Sequence, residues 1–332
     1  MANYKAGDVI RLTRNAVGLT QEELSDGICS VETLSRIENN RHKIKRDIYR
    51  RLMERLERGI HDNCAVCMGN DMSLLEEYIL LEDTLSKREY DISKQYLAHI
   101  CERISDSVVD RQYLKRVRAL VDYELGEISA QVFIKQLQEA MEMTIPAYES
   151  YLWGDQRGRI YPYREQEILI LMGMGIAYYD VGELDKDIII YETIIRSLDA
   201  GYMDEKNAAE LKLINLANLS RPLGKLGRYE EALAKAEEGL NMAISRGYAH
   251  GLVELMMGTA VNRLKLAKRK EADEREKELM NAKKMMRRAY YIAAARKDIH
   301  NLKLIKQNIK YFHRKKHESR LRKFPHHLPP LI

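Results

Sequence analysis

Tryptophan, phenylalanine and proline are scarce. Tryptophan occurs once, phenylalanine three times and proline six times in 332 residues, and three of the prolines fall within the last eight positions. So few prolines leave long helical segments uninterrupted. No segment alternates apolar and polar residues between turn signals as a strand would. The best strand candidate, DIIIYETII at 187–195, continues a helical pattern on both sides. Four cysteines are too few for a disulfide framework. No apolar run reaches the roughly 18 residues of a membrane span, and MANYKAGDVIRL lacks an apolar core of signal-peptide length. These absences predict a cytoplasmic chain with reduced thiols and no membrane partner. GxSxG, a phosphate-binding glycine loop and HExxH are also missing, which argues against an enzyme and against a cofactor.

Charge and periodicity are abundant. Charged residues make up 32% of the chain, tyrosine occurs 20 times, and apolar residues recur at helical spacing over long segments. An all-α fold with frequent helix–helix contacts follows. The net charge is only +5, but it is unevenly placed. Residues 1–60 carry twelve Lys/Arg against nine Asp/Glu, and residues 297–332 carry ten against two. A basic segment at each end suits an anionic partner, the alternative being a solvated surface.

Residues 19–40, LTQEELSDGICSVETLSRIENN, hold two helix starts. Thr20 with Glu23 three residues on is a capping box, and Asp26-Gly27 closes that short helix. Ser30 opens a second one, which Asn39-Asn40 end. Val9, Ile10, Leu12 and Val17 upstream and Ile48, Leu52, Met53 and Leu56 downstream are also helically spaced. Four or five short helices around a small core are expected over residues 1–60.

LTQEEL, the tight GICS turn and TLSRIEN resemble the helix-turn-helix of the XRE/Cro family of DNA-binding regulators, over roughly residues 5–58. The resemblance implies that Gln21 touches the DNA backbone. It also implies that the second helix enters the major groove by its N-terminal end, exposing Ser30, Val31, Glu32, Thr33 and Arg36. Small side chains there let the backbone approach the base edges. Leu24, Leu34 and Ile37 fall to the core, and Glu38 is expected to fix the following loop. Asn40 stands where the family usually has glycine, and asparagine tolerates the left-handed conformation. Arg41, Lys43, Lys45 and Arg46 are candidate phosphate contacts. The alternative is two helices that only pack.

HDNCAVCMGND at 61–71 breaks the composition and reads as a linker. Cys64 and Cys67 form a single CxxC with His61 nearby. A structural zinc site needs four ligands, so no metal is expected and ordinary semi-buried residues are the better reading. From 72 to 314 the chain reads as helix pairs, near 74–103, 110–143, 168–195, 211–247 and 251–296, with a last helix near 298–314. Residues 315–332 form a basic tail whose histidines are read as a charged terminus.

In the pair at 211–247, KLGRYEEAL places Gly227, Tyr229 and Ala232 as a tetratricopeptide repeat does. ILILMGMGIAYYDVGELDKDIIIYETII at 168–195, with Gly173 and Gly175, has the same plan. Stacked repeats form a concave surface suited to an extended peptide. Counted from the repeat turns, Asn218, Arg221 and Lys225 fall on the ligand face, Asn215 lies beside it, and Met172, Ile176 and Tyr179 are their equivalents one unit earlier. Asn262 is a further candidate. The alternative for any one of these is a solvated or packing role. The amphipathic segment 279–309, with Met285, Met286, Tyr290, Ile292, Leu302 and Ile305, is expected either to cap the array or to meet a second subunit.

The two parts together resemble the Rgg/Rap/NprR/PlcR/PrgX group of peptide-responsive regulators. The group implies a cytoplasmic homodimer that binds double-stranded promoter DNA and is controlled by a short signalling peptide in the repeat domain. Residues 5–58 argue against the branch that lacks a DNA-binding domain. The alternative is a regulator whose repeats bind a protein partner or no ligand.

Overall fold

The computed structural model describes residues 6–42, 44–56, 72–103, 108–249 and 251–314. Lys43, the linker with His61, Cys64 and Cys67, and the tail 315–332 lie outside the described residues. Every regular element among the described residues is an α-helix. The fold is all-α, an N-terminal bundle of short helices followed by helical hairpins. The chain divides into two compact units, residues 1–222 and 223–332.

The first unit opens with α1 (Ala6–Val17), α2 (Gln21–Ser25), α3 (Val31–Glu38) and α4 (Arg46–Arg55). Their shared core is Ile10, Leu24, Leu34, Ile37, Leu52, Met53 and Leu56. Val17, expected on the apolar face, is 47% exposed at the end of α1. The hairpins follow as α5 (Met72–Ser86) with α6 (Tyr90–Cys101), α7 (Val108–Glu124) with α8 (Ala130–Glu142), and α10 (Glu165–Val181) with α11 (Leu184–Asp199). Each helix in this series packs on the next, and α8 packs directly on α10. Leu81, Leu97, Ile100, Tyr113, Val117 and Val121 join α5, α6 and α7. The segment 187–195 is helical, inside α11.

Gly173 and Gly175 explain how α10 sits between two neighbours. Two positions apart on a helix are about 200° apart around it, so the two glycines face opposite sides. A Cβ on Gly173 would lie 2.8 Å from Leu137 Cδ1 of α8, and one on Gly175 would lie 2.8 Å from Tyr191 Cζ of α11. The missing side chains let both neighbours approach.

Between α8 and α10 the chain inserts a short helix, α9 (Tyr148–Leu152), and an irregular stretch that no helical period announces. Tyr148, Leu152, Tyr161 and Tyr163 are buried there. A polar network anchors the start of α10. Glu167 accepts the Arg164 backbone N–H at 2.8 Å and Arg164 Nε at 3.0 Å, and the Thr144 hydroxyl donates to it at 3.0 Å. Gln112 of α7 donates to Thr144 at 2.7 Å.

The expected pair at 211–247 is α12 (Glu205–Lys225) and α13 (Tyr229–Arg246), and the boundary between units falls inside α12, after Pro222. In the second unit α13, α14 (Leu252–Ala267), α15 (Ala272–Ala295) and α16 (Ile299–Arg314) pack in sequence. Met286, Tyr290, Leu302 and Ile305 are all buried within this unit. These four side chains are therefore already covered in their own chain and are not left for a second subunit, whereas Met285 and Ile292 are half-buried.

Gly175→Ala should destabilise the fold by about 1–3 kcal/mol, because the added methyl overpacks against the fully buried Tyr191 ring. Urea unfolding of the purified protein measures this.

Candidate functional site

The residues expected to read DNA are held by local capping. Thr20 Oγ1 accepts the Glu23 N–H at 3.1 Å, and Glu23 returns the bond to the Thr20 N–H at 2.7 Å. Hydrogen bonds from the Thr20 backbone and side chain hold the Glu23 carboxyl below its ordinary range. Ser30 Oγ accepts the Thr33 N–H at 3.1 Å and contacts the Thr33 hydroxyl at 2.8 Å. Both helix starts expected from sequence are present. Ser30 thereby uses its side chain as a cap, and Thr33 is half-buried beside it. Val31 is 38% exposed. Glu32 and Arg36 project to solvent, paired with each other at 2.7 Å one turn apart. Arg41 and Lys45 are exposed.

Glu38 has another role than the one expected. It is fully buried and reaches back to the preceding helices. It accepts Arg14 Nε at 2.6 Å and Arg14 Nη2 at 3.0 Å from α1, and Gln21 Nε2 at 2.6 Å from α2. One carboxylate thus ties α1 and α2 to the C-terminal end of α3. The Gln21 side chain, expected on the DNA backbone, is directed inward to this carboxylate. The loop after α3 is set instead by Asn40, which takes φ 56°. Gly7 lets α1 pass the same end of α3, since a Cβ there would overlap the Ile37 carbonyl. Arg51 of α4 donates to the Gly27 carbonyl at 2.5 Å, closing the turn between α2 and α3 from below. Sequence reasoning missed Arg14 and Arg51; the signal available was a buried-type helix position occupied by an acid.

The candidate ligand residues divide between the two units. In the first, the Arg221 guanidinium lies over the Tyr179 ring at 4.6 Å. Ile176 and Asn218 are half-buried, and Met172 is 9% exposed. Burial strongly suppresses the acidity of the Tyr191 hydroxyl and Asp187 adds to the effect, while Asn218 opposes it. Pro222 lies inside α12. It has no N–H, so the Asn218 carbonyl one turn earlier lacks its helical donor. Arg221, Tyr179 and Asn218 form one polar and aromatic patch.

Two expected ligand residues are corrected. Asn215 is fully buried and donates to the Leu211 carbonyl at 2.8 Å. Asn262, in the second unit, is 4% exposed and donates to the Gly258 carbonyl at 2.9 Å. Each amide is bonded to the carbonyl four residues back, a local alternative open to asparagine in any helix. Asn262 also fills the space that Gly224 leaves, where a Cβ would lie 2.8 Å from its Oδ1. Lys225, also in the second unit, is exposed.

Residues 10–62 match the helix-turn-helix family HTH_3. This segment is a helix-turn-helix domain. No curated protein matches the chain in sequence. Among solved structures, PlcR of Bacillus thuringiensis in complex with the peptide PapR7 and DNA is 19% identical, with a TM-score of 0.53 over 90% of this chain and 99% of that one. PlcR in its apo form is 17% identical, with a TM-score of 0.51 over 91% and 96%. ComR from S. thermophilus in complex with DNA and its signalling peptide ComS is 15% identical, with a TM-score of 0.47 over 92% and 98%. The helix-turn-helix domain and the helical hairpins together have the fold of PlcR. No helix among the described residues is long and apolar enough to cross a membrane.

Glu38→Ala should unfold the helix-turn-helix domain more than any surface change in it. It strands Arg14, whose side chain is only 12% exposed, and breaking one partner of a buried pair costs about 3–5 kcal/mol. Glu32→Ala removes a solvent-exposed pair and should leave stability unchanged. Thermal unfolding of the two variants makes the comparison.

Proposed function

We propose that this protein is a cytoplasmic transcription regulator that binds promoter DNA as a homodimer and responds to a short signalling peptide held by the helical hairpins. The observation that carries the reading is the presentation of α3. Its C-terminal end is locked by the buried Glu38, and its N-terminal turn is capped and turned to solvent with Val31, Glu32 and Arg36 outward. An α3 held in this way can enter a major groove without rearrangement of its own fold. Arg36 can leave Glu32 at little cost, because the pair is exposed. Glu32 can accept only, so it suits a cytosine amino group and repels phosphate. Gln21 keeps α2 in place through Glu38. Ser30 and Thr33 shape the entering turn, and Arg41 and Lys45, with Lys43, take phosphates. A recognition helix of eight residues reads few base pairs, so a two-fold arrangement of half-sites about 34 Å apart, or a multiple, supplies the specificity.

The peptide reading is supported by the patch on α10 and α12. Arg221 is pre-oriented on Tyr179 and can bind a carboxylate by a charge-assisted bond. The Asn218 amide offers a donor and an acceptor to the peptide backbone. Ile176 offers apolar contact, while Met172, expected beside it, is buried in the core. PlcR, which shares the fold, was captured with a peptide and DNA together.

Competition binding tests the DNA reading. Thr33→Ala and Arg36→Ala should each cost about 1–3 kcal/mol of discrimination between the protein's own promoter and random duplex. Lys45→Ala should weaken all sequences alike and lower the salt slope by about one. Equal affinity of the parent protein for promoter and random DNA, with and without peptide, would sink the proposal.

Calorimetry with a synthetic peptide from a small reading frame beside the gene tests the second part. Asn218→Ala and Arg221→Ala should weaken peptide binding roughly five- to hundredfold and leave the peptide-free protein's affinity for DNA unaltered. Folded variants that bind the peptide as tightly as the parent would place its site elsewhere.

A further inference from the structure

Acidic and basic residues are balanced through most of the second unit and then cease to be. Arg228, Lys235, Arg263, Arg269 and Lys270 each pair with a glutamate. From residue 283 to 314 the chain carries ten Lys/Arg and a single acid, Asp298. That acid is engaged by Asn301, whose backbone N–H and side-chain amide donate to it at 3.0 and 2.7 Å. Lys284, Arg288, Lys297, Lys303 and Lys306 are exposed, and none is ion-paired with a described acid.

The placement of these cations is regular. Residues 284, 288 and 291 share one face of α15, opposite the stripe Ala282, Met286, Ala289 and Ala293 that is buried. Tyr291 on that face is 59% exposed, and its hydroxyl can donate to a phosphate oxygen. Lys303 and Lys306 lie on one face of α16, and Lys297 sits in the turn between the helices. The helix dipole does not account for the α15 cluster. Its effect is confined to the last turn, and the last turn of α15 carries no cation. Like charges one turn apart also oppose helix formation, so the cluster is not there for the stability of α15.

We infer that the exposed basic face of α15 and α16 is a second DNA-contacting surface, which binds the phosphate backbone of duplex DNA without reading sequence. A polyanion with closely spaced phosphates matches cations spread along two helices, and neutralising it releases counterions. Duplex DNA is favoured over an acidic protein because its phosphates recur at a close and regular spacing, and because the same chain carries a helix-turn-helix domain. The inference stands on the charge distribution and does not require α3 to read bases.

The test uses the full chain and a long random-sequence duplex, with affinity measured across a salt series. The variant Lys284→Ala/Arg288→Ala/Lys303→Ala/Lys306→Ala should lose about tenfold in affinity. Its salt slope should fall by up to about 0.9 for each phosphate contact removed. A control that removes four glutamate-paired cations, Arg228→Ala/Lys235→Ala/Arg269→Ala/Lys270→Ala, has the same net charge and should keep the parental slope. The same loss should appear when the four α15–α16 substitutions are added to a Thr33→Ala/Arg36→Ala background, which separates this surface from the recognition helix. An unchanged slope in the folded quadruple variant overturns the inference, as does a loss equal to that of the control. It is also overturned if the four cations are needed for binding to vesicles of anionic lipid but not for binding to duplex.

Discussion

Neither α2, with five residues, nor α3, with eight, is long enough to persist as an isolated helix in water. Every element of the N-terminal domain therefore depends on what its neighbours supply. Thr20 and Ser30 satisfy the first N–H groups of the two helices, and Leu24, Leu34 and Ile37 bury one face of each in a common core. Glu38 adds a polar tie that the apolar core cannot provide, because its two oxygens fix the positions of α1 and α2 relative to α3. The hairpins meet the same constraint differently. Their helices are longer but apolar on more than one side, and they gain stability by close approach, as Gly173 and Gly175 permit for α10.

These two solutions suit two kinds of contact. A short helix held at its C-terminal end leaves its N-terminal turn free to meet a rigid, grooved polyanion. Longer helices packed in series present side chains from neighbouring elements together, as with Arg221 over Tyr179 beside Asn218.

Much of this was legible in the sequence wherever the signal is local. The capping box at Thr20 and Glu23, the Ser30 start, the helical character of 187–195 and the five helix pairs all follow from spacing within a few residues. What was not legible depends on partners distant in sequence. Glu38 was expected to hold the loop after it, but its partners lie 24 and 17 positions earlier. Asn215, expected beside the ligand face, and Asn262, a further candidate, are buried, and their amides bond within the helix. The apolar stripe ending the chain carried no sign of whether its cover was α14 and α16 or another molecule. The aromatic insertion around α9 has no period to read, and its burial comes from tyrosines that separate helices bring together.

The claim on which the functional account rests is that α3 is presented to a major groove, and hydroxyl-radical footprinting of the full chain on its own promoter addresses it directly. The account predicts two protected segments on one face of the duplex, separated by about 34 Å or a multiple of that distance. Uniform protection along the duplex, or none at all, both with and without peptide, would contradict it.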